Sequence, residues 1–159
     1  QMMSVIIKKT TGMQLDEFAE KVLFGPLGIT NYYWKHDPTG YPDALGGLYL
    51  GPEDLAKIGY LFLNEGVWEG KQIVSKEWVR QATARITETA FPGYGYGFQW
   101  WRPGITDSPV WSGIGFGDQA LTIYPELNVV AVVFSWNVFD EEVESIRDAA
   151  IQAILKANQ

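Results

Sequence analysis

Cysteine is absent from the 159-residue chain, and histidine occurs once, as His36. Without thiols there are no disulfides and no thiolate metal sites, while the redox compartment stays open. A metal centre needs several converging ligands, and a lone imidazole in a proline-containing loop does not supply them, so neither metal nor cofactor is expected. The same histidine would have to serve any Ser-His-Asp triad, and no serine sits in a G-x-S-x-G elbow. His36 therefore reads as a solvent-facing loop residue. Basic charge is scarce too: 12 Lys and Arg against 19 Asp and Glu leave a net charge of −7. Nucleic acid needs a basic stripe and an anionic membrane surface needs a basic face, so the composition argues against both as partners. No apolar run reaches the ~18 residues of a membrane span. Neither glycine-rich segment, Gly93 to Gly97 or Gly113 to Gly117, completes G-x-G-x-x-G, and each leads into a strand, which argues against dinucleotide binding.

What is present is apolar and aromatic: 47% hydrophobic residues, 14% of the chain being Phe, Trp or Tyr, enough for a packed core. The organising stretch is WSGIGFGDQALTIYPELNVVAVVFSWN, residues 111–137. Glycines at every second position lead into a half-alternating strand, a Pro125-Glu126-Leu127-Asn128 turn, and a second strand over 129–134. That second strand is continuously apolar and β-branched, as in a central strand covered on both faces. The glycine lead-in is expected at the edge of the sheet, where missing side chains let a ligand approach the backbone.

Upstream, residues 5–12 read as the last turns of a helix that Gln1 enters in mid-course, with Lys8 and Lys9 near its end and Gly12 as its stop. A second amphipathic helix follows over 15–23. Residues 25–51 then form a long loop with no sustained period, a length that is usually functional. Pro52 opens a third, largely buried helix closed by Gly66. A small hairpin is expected over 67–74, around Glu69-Gly70. Ser75 caps a helix carrying Trp78, Val79 and Ala82 inward. A strand over 98–101 precedes the central hairpin, and Asp140 caps a last helix with an apolar stripe of Val143, Ile146, Ala150, Ile154 and Ala157. The fold class is α+β: a mostly helical region over 1–95, then antiparallel strands and a C-terminal helix over 96–159. The seven tryptophans could line a sugar-stacking surface, but core packing accounts for most of them.

Six short segments carry a resemblance. They are Thr11-Gly12, Pro26-Leu27-Gly28-Ile29, Gly46-Gly47-Leu48, Asp54-Leu55-Ala56-Lys57-Ile58-Gly59, Gly66-Val67-Trp68-Glu69-Gly70-Lys71 and Ser75-Lys76-Glu77-Trp78. In this order, followed by Gly115-Phe116-Gly117-Asp118-Gln119 and an apolar hairpin, they resemble the second half of the serine β-lactamase-like family. That family includes class C β-lactamases, penicillin-binding DD-peptidases, and related esterases and amide hydrolases such as nylon-oligomer hydrolases. The resemblance implies acyl transfer to water from an ester, amide or β-lactam through an acyl-serine, and a periplasmic or secreted setting. In the family a serine of S-x-x-K attacks the carbonyl, its lysine and a tyrosine of Y-x-N move the proton, and a K-T-G-like strand borders the pocket. Trp111-Ser112-Gly113 aligns with that last motif in its W-x-G form, making these three residues substrate-binding. The second oxyanion donor is then the Ile114 backbone N–H. Tyr32, Tyr33 and Trp34, in the long loop, are expected to add walls.

The departures carry equal weight. No serine or threonine is followed three positions on by lysine, and no Tyr-x-Asn occurs. Nucleophile and base are therefore expected upstream of Gln1, and the chain alone is expected to be inactive. Trp111 in place of the common Lys or His tilts the substrate toward neutral esters or amides. Apolar surface left uncovered is expected to pair with the missing N-terminal half or to drive self-association. The alternative is a non-catalytic, aromatic-rich module or pseudoenzyme holding glycans or peptidoglycan.

Overall fold

Gly12, at φ +78°, stops α1 (Met2–Thr11), its N–H donating to the Lys8 carbonyl at 3.0 Å. The computed structural model describes residues 1–91, 93–103, 109–136, 138 and 146–157. α2 (Leu15–Ala19) starts with a capping box between Gln14 and Glu17. Rather than running on as α-helix to residue 23, the chain widens into a π-helical turn, Glu20–Phe24, which delivers Phe24 to the core at 1% exposure. Gly25 makes this possible. Its N–H donates to the Glu20 carbonyl at 2.8 Å, and a Cβ there would sit 2.9 Å from that same oxygen.

The stretch expected to be irregular contains a short antiparallel pair, β1 (Tyr32–Trp34) and β2 (Leu48–Leu50). Strand alternation turns Tyr32 and Trp34 inward onto Phe24 and leaves Tyr33 outside against Tyr49. Between the strands His36 is exposed, as expected, and is held in place: its Nε2 lies 3.0 Å from Asp16, and its Nδ1 lies 3.1 Å from the Trp34 carbonyl. Asp37 organises the turn, accepting from the Thr39 hydroxyl (2.7 Å), the Thr39 N–H (2.8 Å), the Tyr41 N–H (3.1 Å) and the Gln1 amide. These bonds, the Thr39 hydroxyl first, hold the Asp37 carboxyl below its usual pKa, against a smaller opposing effect of desolvation. A lowered folded-state pKa adds stability above the unfolded value, and that stability is lost as pH falls through the folded value. The protection factors of the Thr39 and Tyr41 amides, taken against the intrinsic exchange rate at each pH, should therefore be high at neutral pH and fall below the usual aspartate range. Asp37→Asn should flatten that pH dependence.

α3 (Pro52–Leu63) begins with proline at its first turn, followed by Glu53 and Asp54. It is the wall between two cores. Ile58 and Leu61 join Phe24, Leu27 and Ile29; Leu55, Phe62 and Leu63 join Ala82, Trp100, Leu121 and Ile123. The helix approaches the sheet closely at Gly59, where a Cβ would lie 2.6 Å from Val130 Cγ1 and 2.7 Å from Leu121 Cδ1. β3 (Val67–Trp68) and β4 (Lys71–Gln72) form the small hairpin. Ser75 caps α4 (Lys76–Ala82), its hydroxyl accepting from the Trp78 N–H at 3.2 Å. Val79 and Ala82 take the buried face, which leaves Trp78 on the flank rather than inward; it is 46% exposed and stacks on Phe98.

The sheet has six antiparallel strands in the order β10-β9-β8-β7-β6-β5. They are β5 (Thr87–Glu88), β6 (Tyr94–Tyr96), β7 (Trp101–Pro103), β8 (Trp111–Ile114), β9 (Ala120–Tyr124) and β10 (Val129–Val133). Of the strand expected over 98–101, only Trp101 is in a strand, and residues 98–100 are a turn: Gln99 sits at φ +65° and the Gly97 N–H donates to the Trp100 carbonyl, closing a β6–β7 hairpin. Two positions in the sheet also differ from expectation. The apolar run of β10 lies at the edge of the described sheet and is half-buried throughout, whereas β9 is buried at every residue. Hydrophobicity alone does not separate a central strand from an edge strand whose face is covered by a helix. The glycine-rich β8 lies inside the sheet, between β7 and β9. The sheet also draws β5 and β6 from the stretch expected to be helical. α5 (Ile146–Ala157) follows, with Ala150 and Ile154 half-buried and Ala157 exposed; Asp140 and Val143 lie outside the described residues.

Candidate active site

The ladder of β8 determines where its amides point. Just past the strand, the Gly115 N–H donates to the Gln119 carbonyl at 2.9 Å. In an antiparallel pair, residues bonded to one neighbour alternate with residues turned away from it. Gly113 and Gly115 are the bonded positions toward β9, and the Ile114 N–H points the other way, toward β7. Among the described residues β7 is in register with β8 at one pair, Trp101 with Ser112. Gln99, next in that register opposite Ile114, has already turned away. The Ile114 amide thus faces outward at an interior position of the sheet, because its neighbour strand stops short.

Register also sorts the side chains. Trp111 lies on the α3 face, half-buried against the second core, and its indole Nε1 is buried without a hydrogen-bond partner among the described residues. Ser112 is 2% exposed on the opposite face, its hydroxyl 3.1 Å from that of Thr122. A Cβ at Gly113 would meet nothing within 4 Å, so the backbone here borders open space. The next loop is fastened from behind: the Ser135 hydroxyl donates to the Gly117 carbonyl at 2.8 Å.

Trp101, Tyr94 and Ile114 share the face of Ser112, and with Phe91 they bound a cavity of about 340 Å³. The Trp101 ring is braced edge-on by Tyr96 at 4.9 Å, Phe91 at 5.8 Å and Tyr94 at 6.2 Å. Sequence reasoning missed these three aromatic walls. Their only sequence signal is aromatics around the Gly93, Gly95 and Gly97 run, and it is the hairpin register that groups them. Arg102 alternates to the other face, where burial, and to a lesser degree Arg85, pushes its guanidinium pKa down. Tyr32 and Trp34 are placed elsewhere, packed in the first core, with the Trp34 indole donating to the Asp43 carbonyl at 3.0 Å. Burial, then Glu20, raises the Tyr32 hydroxyl pKa. Tyr33 is 63% exposed. Among the described residues no group of three His, Cys, Asp or Glu could hold a metal, and no helix is long and apolar enough to cross a membrane.

The chain is similar in sequence and fold to known proteins. A 6-aminohexanoate-dimer hydrolase of Paenarthrobacter ureafaciens is 32% identical over 140 residues, covering 82% of this chain and 36% of its own length. A solved structure assigned as a 6-aminohexanoate-dimer hydrolase of Bacillus anthracis superposes with a TM-score of 0.78 at 27% identity, over 98% of this chain and 40% of that one. The octameric penicillin-binding protein homologue of Pyrococcus abyssi shares the fold, with a TM-score of 0.73 at 21% identity over 96% of this chain and 40% of that one. The chain thus spans 36 to 40% of the length of these relatives. The family model described as Beta-lactamase matches residues 2–156, taking in every strand of the sheet and the glycine-rich β8, and the chain belongs to that family.

Proposed function

We propose that this chain forms the pocket side of a serine hydrolase that transfers the acyl group of a neutral ester or amide to water. The observation that carries this reading is the outward-facing Ile114 N–H, with an open glycine on one face of the sheet and an apolar cavity on the other. An oxyanion forming there meets a pre-aimed donor that needs no reorganisation. The serine, lysine and tyrosine of S-x-x-K and Y-x-N come from sequence beyond this chain. The serine oxygen adds to the carbonyl as its proton passes to the lysine–tyrosine pair, and the negative charge gathers on the carbonyl oxygen at Ile114. Collapse breaks the bond to the leaving alcohol or amine, which takes that proton. Water then adds to the acyl-serine by the same route and releases the acid. Trp111, without a cation, offers no partner for a substrate carboxylate, which favours neutral substrates over β-lactams. The relatives named as 6-aminohexanoate-dimer hydrolases support an amide as the bond cleaved, although that dimer carries a carboxylate at one end and an ammonium at the other.

The outer edge of β10 carries five apolar residues without charge or proline, a surface that pairs readily with another strand. This chain alone should turn over no p-nitrophenyl acetate above the water rate and should elute ahead of a 17.9 kDa monomer. Joined to an upstream S-x-x-K and Y-x-N segment, it should hydrolyse the ester with a burst of p-nitrophenol. Turnover by the isolated chain, or none by the joined protein, would defeat the reading. The glycan-binding alternative is favoured by the stacked, half-exposed Trp78–Phe98 pair. It requires oligosaccharide binding that Trp78→Ala removes.

A further inference from the structure

We propose that the cavity bounded by Phe91, Tyr94, Trp101 and Ile114 receives the acyl portion of the substrate and selects an uncharged, apolar acyl group. The inference rests on the acyl-transfer reading above, because it is Ile114 that joins the two places. Its N–H lies in the plane of the sheet, facing the gap where β7 has ended, and its side chain lies on the face shared with Trp101. A carbonyl whose oxygen is held at that N–H can run its acyl chain over the Ile114 side chain and onto the Trp101 ring.

The lining then decides the chemistry. Three of the four described lining residues are aromatic, and none of the four is charged. Arg102, the nearest cation on β7, faces the opposite side, where the Arg85 side chain lies across Gly95. A carboxylate entering the cavity would give up its hydration without a counter-charge, whereas methylene or ring carbons give up nothing. The volume of about 340 Å³ lies at the small end of the range for ligand pockets. Trp101 is held by its three aromatic neighbours and forms a fixed floor. Phe91, 63% exposed, forms the outer wall.

The test uses binding of non-reacting neutral amides, which requires no serine. The protein is titrated with acetamide, butyramide and hexanamide while the indole N–H resonance of Trp101 is followed by NMR. Affinity should rise about fourfold for each added methylene, the gain expected from burying apolar surface, and hexanoate should bind at least tenfold more weakly than hexanamide. Phe91→Ala, at an exposed position that keeps the fold, should flatten the series, and Phe91→Leu should restore most of it. Equal affinity along the series, hexanoate binding as tightly as hexanamide, or a series unchanged by Phe91→Ala would overturn the proposal. Ester hydrolysis by the joined protein separates the two readings. Equal kcat/KM for acetyl and hexanoyl esters removes the pocket and leaves the hydrolase. A binding series without turnover leaves the pocket and removes the hydrolase.

Discussion

Replacing Ile114 by proline in the protein that carries the nucleophile should lower kcat for ester hydrolysis by about 10²–10³, the typical effect of losing one oxyanion donor. The substitution is informative because of where the amide points. Gly113 and Gly115 hold the ladder to β9, so removing the Ile114 N–H breaks no bond to that strand. Gly113 precedes it in extended backbone, which a following proline favours. Thermal stability should fall little, while an interior proline that removed a ladder bond would be strongly destabilising. Ile114→Val keeps the N–H and should retain most of the activity. Measuring kcat and Tm for both variants separates a lost donor from a damaged sheet.

The largest effect on stability is expected at Gly66. It lies at φ +85°, and a Cβ there would stand 1.9 Å from the Val74 carbonyl oxygen. That neighbour is backbone and cannot rotate aside. The same residue receives the Ile73 and Val74 N–H groups on its carbonyl and donates to the Leu61 carbonyl at 2.7 Å, tying the end of α3 to the strand hairpin that follows it. Gly66→Ala therefore combines left-handed strain with overpacking, and should destabilise the chain by roughly 2–5 kcal/mol in urea unfolding. Gly70→Ala, at φ +77° with nothing within 4 Å of its Cβ, should show the strain alone, about 1–2 kcal/mol.

These two glycines illustrate what a sequence discloses. Local signals are legible because their physics is local: Gly12 stopping α1, Pro52 opening α3, Ser75 capping α4, and the turn at Asn128, which sits at φ +54°. Where tertiary packing decides, the signal fades. β1 and β2 are three residues each, too short for a period to emerge. The π-helical turn before Gly25 depends on Phe24 reaching the core. Trp78 and Val79 are adjacent apolar residues, and only the position of the sheet decides which one is buried. The same divide runs through the site. Trp111 to Ile114 stand out in the sequence through glycine spacing and resemblance. Phe91, Tyr94 and Trp101 do not, because their meeting depends on a hairpin closed by Gln99 in a left-handed conformation.

The central claim is that the Ile114 amide receives the negative charge of the reacting carbonyl. The most direct test is a crystal structure of the joined protein with a boronic acid bound to its serine. A boronate oxygen is expected about 2.7–3.1 Å from the Ile114 nitrogen, with the boronate substituent over Trp101. A boronate oxygen pointing elsewhere, with the Ile114 N–H donating to a protein carbonyl, would contradict it.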